Sequence, residues 1–132
     1  MSRLADDLVG VEMSESTEPV VMAPEDVLQA MLHSDDPSSI VMVNLLKVRD
    51  QGRLDQYSRM VLPLIEKHGG SYVYGGPVTE HVIGDGDWDF VAVVRYPTRR
   101  AFAEMILSDD YALAAPHRIA GLERAELLMT TG

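Results

Sequence analysis

The fold is decided by the stretch IVMVNLL, residues 40–46. This run is rich in β-branched residues and shows no alternation of apolar and polar side chains, which predicts a strand covered on both faces. A second run of this kind, residues 90–94, lies within a predicted strand from Trp88 to Tyr96 that Pro97 ends. Both strands therefore need a partner layer on each side.

Helices are expected after each of these strands. Apolar or amphipathic residues recur at helical spacing from Tyr57 to His68 and predict an amphipathic helix that ends at Gly69-Gly70 with His68 as a capping residue, although Pro63 argues against it. A second helix is expected from a Thr98 cap. Residues 111–122 are interpreted as helical or irregular.

Two further strands complete the pattern. Residues 71–83 are interpreted as extended with a bend at 75–77, residues 84–87 as a hairpin turn, and residues 123–130 as the last strand. The order β-α-β-β-α-β predicts an α+β, ferredoxin-like antiparallel sheet with helices on one face.

The second face of that sheet would be apolar and uncovered. Monomers seldom expose so large an apolar patch, so we expect a homodimer that closes face to face into an α/β barrel. The rival interpretation is that N-terminal helices cover this face within one chain. Such helices are expected around Leu4, Leu8 and Val11, and again from Pro24 onward.

Charge is concentrated before the sheet. Residues 1–39 hold nine acidic residues and one arginine, whereas the other 93 residues hold 12 acidic and 10 basic residues, within a total formal charge of −10. We therefore expect an acidic N-terminal extension, residues 1–39, and one ferredoxin-like domain, residues 40–132. Clustered basic residues are missing, so nucleic-acid and anionic-membrane partners are not expected.

The chain contains no cysteine, which excludes disulfides and thiolate chemistry. No secretion signal is recognised, and no apolar run approaches the ~20 residues of a membrane span. A cytoplasmic protein is the expectation.

Several of these segments resemble a known family. They are Met42 to Lys47, Tyr57, residues 63–70, residues 95–98, residues 108–111 and Arg118. Together they resemble domain-of-unknown-function family 1330 over residues 40–132, with Arg95 standing where that family is usually acidic. The resemblance implies the dimeric α/β-barrel fold, whose superfamily includes cofactor-free monooxygenases and small lactone isomerases. It does not imply an activity for this chain.

Three polar residues in the predicted strands are candidate catalytic groups. Asn44 interrupts an apolar strand and needs a partner, either a ligand or neighbouring backbone. His81 is a candidate base or hydrogen-bond donor, or else a half-exposed strand histidine. Arg95 is a further candidate at the end of its strand.

Four residues are candidate ligand-binding groups. Tyr74 could line a pocket or belong to the core or interface, and Tyr111 should close over the end of the sheet. His117 and Arg118 lie nearby, where Arg118 could bind an anion or pair with Asp109 or Asp110.

No cofactor or metal is expected, because the four histidines show no ligand spacing and no nucleotide-binding or nucleophile motif occurs. Haem with His81 or His117 as axial ligand remains open. Our first hypothesis is a small organic ligand, an organic acid or a cyclic ketone, in a pocket between sheet and helices, with cofactor-free acid/base chemistry of a monooxygenase or isomerase kind. The alternative is a non-catalytic interaction module that uses the acidic extension, so whether the chain is an enzyme is left open.

Overall fold

A computed structural model describes residues 20–132. Its elements, in chain order, are α1 (Glu25–Leu32), β1 (Ile40–Val48), α2 (Gln51–Lys67), β2 (Ser71–Pro77), β3 (Phe90–Tyr96), α3 (Arg99–Ile106), α4 (Asp109–Gly121) and β4 (Leu122–Thr131). The helix predicted around Leu4, Leu8 and Val11 lies outside the described residues.

The four strands form one antiparallel sheet in the order β2-β3-β1-β4. The two-sided apolar strands, β1 and β3, are the central pair, and Asn44 of β1 lies opposite Ala92 of β3. The α+β, ferredoxin-like architecture predicted from the sequence is thereby confirmed.

The two faces of the sheet differ in what covers them. Met42, Ala92 and Val94 are buried on the inner face, beneath the helices. The outer face carries the intervening residues, and within residues 20–132 no helix packs on it. Its apolar members are half-buried or exposed: Val41, Val43, Leu45, Val91, Val93 and Leu128.

Helices α2, α3 and α4 each begin at a polar cap. The side chains of Asp50, Thr98 and Ser108 accept hydrogen bonds from backbone N–H groups in the first turns of α2, α3 and α4. The predicted Thr98 cap is confirmed, as is His68 at the C-terminal cap of α2. Pro63 lies inside α2 without ending it.

The second strand is shorter than predicted. β2 ends at Pro77, which pairs with Phe90 at the start of β3, and the backbone N–H of Val78 donates one further bond of 2.9 Å to the carbonyl oxygen of Asp89 before the chain leaves the sheet. Residues 78–89 form a loop whose Val82 and Ile83 are 88% and 96% exposed. The expected extension of the strand to residue 83 and the start of β3 at Trp88 were therefore wrong.

Helix α1 packs on the helical side of the sheet, against α3. Its Leu28 and Met31 are buried in the same core cluster as Met42 and Phe102. The rival interpretation, in which N-terminal helices cover the outer face, therefore does not hold for α1. The division of the chain at residue 39 remains a prediction, although residues 25–32 contribute to the core of the domain.

Among residues 20–132, buried apolar residues form two clusters. Ile40 and Met42 belong to the larger cluster, and Leu46 belongs to the smaller one with Leu54 and Leu122. Asn44 lies on the inner face between Met42 and Leu46, at the gap between the two clusters.

Candidate ligand-binding cavity

A cavity of about 1230 Å³ opens between the inner face of the sheet and the helices. It exceeds the usual ~300–1,000 Å³ of a small-molecule site. Its walls are mainly apolar side chains that come from helices α1 to α4 and from the sheet. Its polar lining includes Asn44, Asp55, Tyr57, Asp89, Tyr111 and Arg118. A space of this size and composition suits an organic molecule better than a chain of water molecules.

Asn44 lies on the floor of the cavity. Its Nδ2 donates a hydrogen bond of 3.2 Å to the carbonyl oxygen of Ala92 on the neighbouring strand. Within residues 20–132, no hydrogen bond reaches its Oδ1. The amide nitrogen Nδ2 is therefore held by backbone, and the amide oxygen Oδ1 is available to a ligand.

Two tyrosines form one wall. The hydroxyls of Tyr57 on α2 and Tyr111 on α4 lie 2.8 Å apart, and their rings meet edge to face with centroids 6.1 Å apart. Tyr57 packs against both core clusters, so it fixes the position of the wall relative to the sheet.

Arg118 of α4 completes this wall. It is only 8% exposed, its Nε donates a hydrogen bond of 2.8 Å to the carbonyl oxygen of Val21, and its guanidinium carbon lies 5.5 Å from the centre of the Tyr57 ring. The bond to Val21 joins α4 to the strap, which we define as residues 20–24. All five strap residues line the cavity.

Burial changes the acidity of the phenols around the cavity. It raises the pKa of Tyr96 and of Tyr111 far above the ordinary value, and the positive charge of Arg118 offsets only part of that effect. Both side chains are therefore neutral O–H donors at physiological pH rather than bases.

Two aspartates lie at the edge of the cavity. Asp55 is exposed and accepts a hydrogen bond of 2.8 Å from Gln51. Asp89 accepts bonds from the backbone N–H of Val48 and from Lys47, at 2.8 and 3.5 Å. Asp55 is therefore the less engaged of the two carboxylates.

The structure brings three of the predicted site residues together and leaves four outside the cavity. Asn44, Tyr111 and Arg118 line it. Tyr74 and Arg95 are exposed and lie on the outer face. Arg95 lies there by the alternation of β3, opposite Val41, and Tyr74 because a bulge between Tyr72 and Tyr74 shifts the register of β2.

The two predicted histidines lie elsewhere. His81 is exposed in the loop of residues 78–89, with its Nε2 3.2 Å from the carbonyl oxygen of Trp88. The Nδ1 of His117 accepts a hydrogen bond of 3.0 Å from Arg53. Neither lines the cavity, so a haem in this cavity would lack the axial ligands that the sequence suggested. Among the described residues, no cluster of three potential metal ligands is found.

The partner of Arg118 also differs from the sequence hypothesis. Asp109 and Asp110, on the first turn of the same helix, do not contact it, and Asp110 instead pairs with Lys67 at 3.2 Å. Tyr57 and the strap were not predicted from the sequence as lining residues. The helical spacing from Tyr57 was a usable signal, whereas nothing in the strap marks it as part of a site.

Helices long and apolar enough to cross a membrane are not found in the part of the chain that the structure describes. No curated protein matches the chain.

Solved structures similar to this chain are known. A protein of unknown function from Rhodopseudomonas palustris is 28% identical with a TM-score of 0.78, and the match covers 86% of this chain and 97% of that one. A cofactor-independent oxygenase from Streptomyces nogalater is 16% identical with a TM-score of 0.54, covering 72% and 93%. A dimeric ferredoxin-like protein of unknown function from Thermobifida fusca is 15% identical with a TM-score of 0.54, covering 76% and 96%. At 15–16% identity the likeness concerns the fold alone.

The family model described as a domain of unknown function, DUF1330, matches residues 39–131. That match covers most of the chain and coincides with the sheet and helices α2 to α4. The resemblance noted in the sequence is therefore confirmed, and the chain belongs to the DUF1330 family.

Proposed function

We propose that this protein is a homodimer in which each protomer binds a small, largely apolar organic molecule in the cavity between sheet and helices. The observation that carries the proposal is the cavity of about 1230 Å³, whose mainly apolar walls meet a few converging polar groups. Ligand sites in proteins have this composition, because apolar walls supply affinity and a few polar groups fix orientation.

The homodimer is supported by the uncovered outer face. Six apolar side chains lie there without a covering layer from residues 20–132. Burying such a face in a second copy would remove about 800 Å² per partner from water in a standard interface. Two proteins of similar fold, from Thermobifida fusca and Bacteroides fragilis, are described as dimeric.

A cavity-filling substitution tests the ligand site. Ala92 lines the cavity and is 9% exposed, so Ala92→Leu would add carbon atoms to empty space. Melting temperatures would be measured across a panel of small organic compounds. We expect compounds that stabilise the wild type to bind Ala92→Leu at least ~10-fold more weakly, a loss of about 1.4 kcal/mol.

The matched control is Ala112→Leu, the same change at an exposed position of α4. It should bind like the wild type. If no compound in the panel stabilises the wild type, or if Ala92→Leu binds as well as Ala112→Leu, the proposed site is wrong. Should Ala92→Leu fail to fold, Ala125→Leu on β4 fills the same cavity from another strand.

Proton abstraction from the ligand is a second candidate function, in line with the acid/base chemistry predicted from the sequence. It is favoured by the carboxylate of Asp55, which lines the cavity and is available as a base. Arg118 and neutral Tyr111 would stabilise the oxyanion of the resulting enolate. Exchange of the ligand's α-hydrogen for deuterium in D₂O, followed by NMR, should be faster with the wild type than with Asp55→Asn. Equal exchange rates for the wild type and Asp55→Asn would contradict proton abstraction by Asp55 and would support ligand binding without this catalysis.

The alternative is a non-catalytic module that docks a partner through its acidic extension. A truncation can test it, provided that the deleted residues do not belong to the core. Deleting residues 1–38 would remove Leu28 and Met31 from the core, so loss of a partner would be confounded by unfolding. Deleting residues 1–19 avoids this. The module hypothesis predicts that this truncation keeps its fold and its dimer but loses a basic protein partner, whereas the ligand hypothesis predicts unchanged ligand binding.

A further inference from the structure

We infer that the ligand is an organic acid, whose anionic oxygens are recognised by Arg118 together with the Tyr57–Tyr111 pair. This inference rests on the proposed ligand site and specifies the chemical class that the site accepts.

Arg118 is the first part of the argument. It is more than nine-tenths buried, and Nε is its one nitrogen with a hydrogen bond to the described residues. Throughout residues 20–132, the two terminal amino groups have neither a hydrogen bond nor a salt bridge. A buried cation without a counterion is costly, and an anion that reaches it from the cavity recovers part of that cost. The planar guanidinium also matches a carboxylate in two parallel hydrogen bonds.

The tyrosine pair is the second part. Two neutral phenols carry two hydroxyl protons, and the 2.8 Å bond between Tyr57 and Tyr111 uses one of them. The other proton has no acceptor among the described residues. It is therefore available to a ligand oxygen, on the same wall as Arg118.

The wall formed by Arg118 and the tyrosine pair is rich in donors, because Arg118 offers two terminal amino groups and the tyrosine pair offers one hydroxyl proton. Of the acceptors that line the cavity, Asn44 Oδ1 lies on the floor, and the carboxylates of Asp55 and Asp89 lie at the edge and already accept hydrogen bonds. A neutral amide or alcohol cannot satisfy three donors without bringing a donor of its own. A carboxylate, which accepts only, can.

The remainder of the cavity indicates that the rest of this acid is apolar. Leu46, Val61, Val94 and Met105 are among the apolar side chains that face the space beside the polar wall. The ligand class is therefore an amphipathic acid, with an aromatic or aliphatic body and one carboxylate.

The test compares acids with their primary amides, which have the same shape and no charge. Arylalkanoic acids and medium-chain fatty acids would be titrated by calorimetry into the full-length protein at neutral pH, each beside its amide. We expect acids to bind at least ~10-fold more tightly than the matching amides. Equal or tighter binding of the amides would overturn the inference.

The outcomes separate this inference from the proposed function. If amides and other neutral compounds bind and Ala92→Leu blocks them, the ligand site holds and the acid preference is wrong. If nothing in either series binds, both claims fail. Acid binding that Ala92→Leu leaves unchanged would place the acid elsewhere and would also overturn the inference.

Substitutions test whether Arg118 and the tyrosine pair cause the preference for acids over amides. Arg118→Met should abolish the acid-to-amide ratio while amide binding persists, and Arg118→Lys should retain part of it. Because Arg118→Met also removes the bond to Val21, the double variant Tyr57→Phe/Tyr111→Phe serves as a second test. It leaves that bond intact, removes both hydroxyl protons and should lower the ratio ~3- to 10-fold. An unchanged ratio in Arg118→Met and in the double variant contradicts the assignment.

A carboxylate of the chain itself is the competing occupant. Glu18 lies three residues before Val21 in the sequence. We expect Glu18→Gln to leave the acid-to-amide ratio unchanged. A lower melting temperature in Glu18→Gln, together with no acid preference in the wild type, would assign Arg118 to that internal carboxylate and overturn the inference.

Discussion

Tyr111 combines a structural role with a role in the cavity wall. It is 3% exposed, its backbone N–H donates to the Ser108 cap, and its hydroxyl bonds that of Tyr57. A phenol so placed resists ionisation, because the phenolate would lose hydration without gaining enough from Arg118. The same side chain therefore links the start of α4, the core and the proposed ligand site.

The pH dependence of stability follows from this burial. Tyr96 and Tyr111 have a raised pKa in the folded state, so above the ordinary tyrosine value of about 10 the unfolded chain releases protons that the folded chain keeps. Their contribution is complete below that pH and is lost as pH rises. The free energy of unfolding, measured by urea denaturation, should therefore fall above about pH 10.

Two phenylalanine variants test this cause. Tyr111→Phe should lose about 1 kcal/mol at neutral pH, because it removes the bond to Tyr57, and should show a smaller alkaline loss than the wild type. Tyr74→Phe, at a 59% exposed position, should match the wild type at each pH. An alkaline loss that is identical in all three proteins would contradict the assignment.

Residue types alone could not separate the cavity from the outer face. Asn44 was a candidate because a polar group in an apolar strand needs a partner, and Arg118 because it could bind an anion near Tyr111. Tyr74 and Arg95 were singled out as well, since strands that are apolar on both sides carry no alternation to say which face a side chain occupies. The bulge in β2, which places Tyr74 on the outer face, has no signature beyond the glycines that follow it.

At the scale of elements, the end of α4 comes close to the start of α2 at Gly121. A methyl group there would lie 2.8 Å from the backbone nitrogen of Leu54. The carbonyl oxygen of Gly121 also accepts hydrogen bonds from the backbone of Arg49 and Asp50, at 2.8 and 3.1 Å. This contact fixes where α2 begins and thus where Tyr57 meets Tyr111.

Gly121→Ala should therefore destabilise the protein by about 1–3 kcal/mol, because backbone must shift to admit the methyl group. Gly52→Ala is the matched control, since its nearest neighbour would be Asp50 Oδ1 at 3.5 Å and alanine favours a helix. It should be neutral or stabilising by up to about 1 kcal/mol. Equal melting temperatures for the two variants would show that the close approach does not constrain the helices.

Helices were easier to predict than strand ends. The caps at Thr98 and His68 and the apolar spacing in α2 are local signals, and the structure confirms them. Pro63 was a misleading one, because a single lost backbone bond does not end a helix that buries Val61, Leu64 and Ile65. The end of β2 depends on where β3 begins, which is information from a distant part of the chain.

At the scale of the whole molecule, the proposed homodimer depends on the outer face. Val43 lies at its centre, flanked by β3 and β4. In a face-to-face homodimer it would meet the equivalent surface of the second copy, where a carboxylate would be buried without a counterion.

Val43→Asp should therefore yield a monomer at concentrations where the wild type is a dimer, as measured by light scattering after size-exclusion chromatography. Leu113→Asp is the control, because Leu113 is 66% exposed on α4 and faces away from the sheet. It should remain dimeric. A monomeric wild type, or a dimeric Val43→Asp variant, would contradict assembly through this face.

The central claim is that an amphipathic acid occupies the cavity with its carboxylate on Arg118. A crystal structure of the full-length protein with the tightest-binding acid tests it most directly. We predict ligand density between the sheet and the helices, with carboxylate oxygens about 2.7–2.9 Å from the terminal nitrogens of Arg118. Density on another surface, or a cavity filled by the protein's own side chains while the acid is bound elsewhere, would contradict the claim.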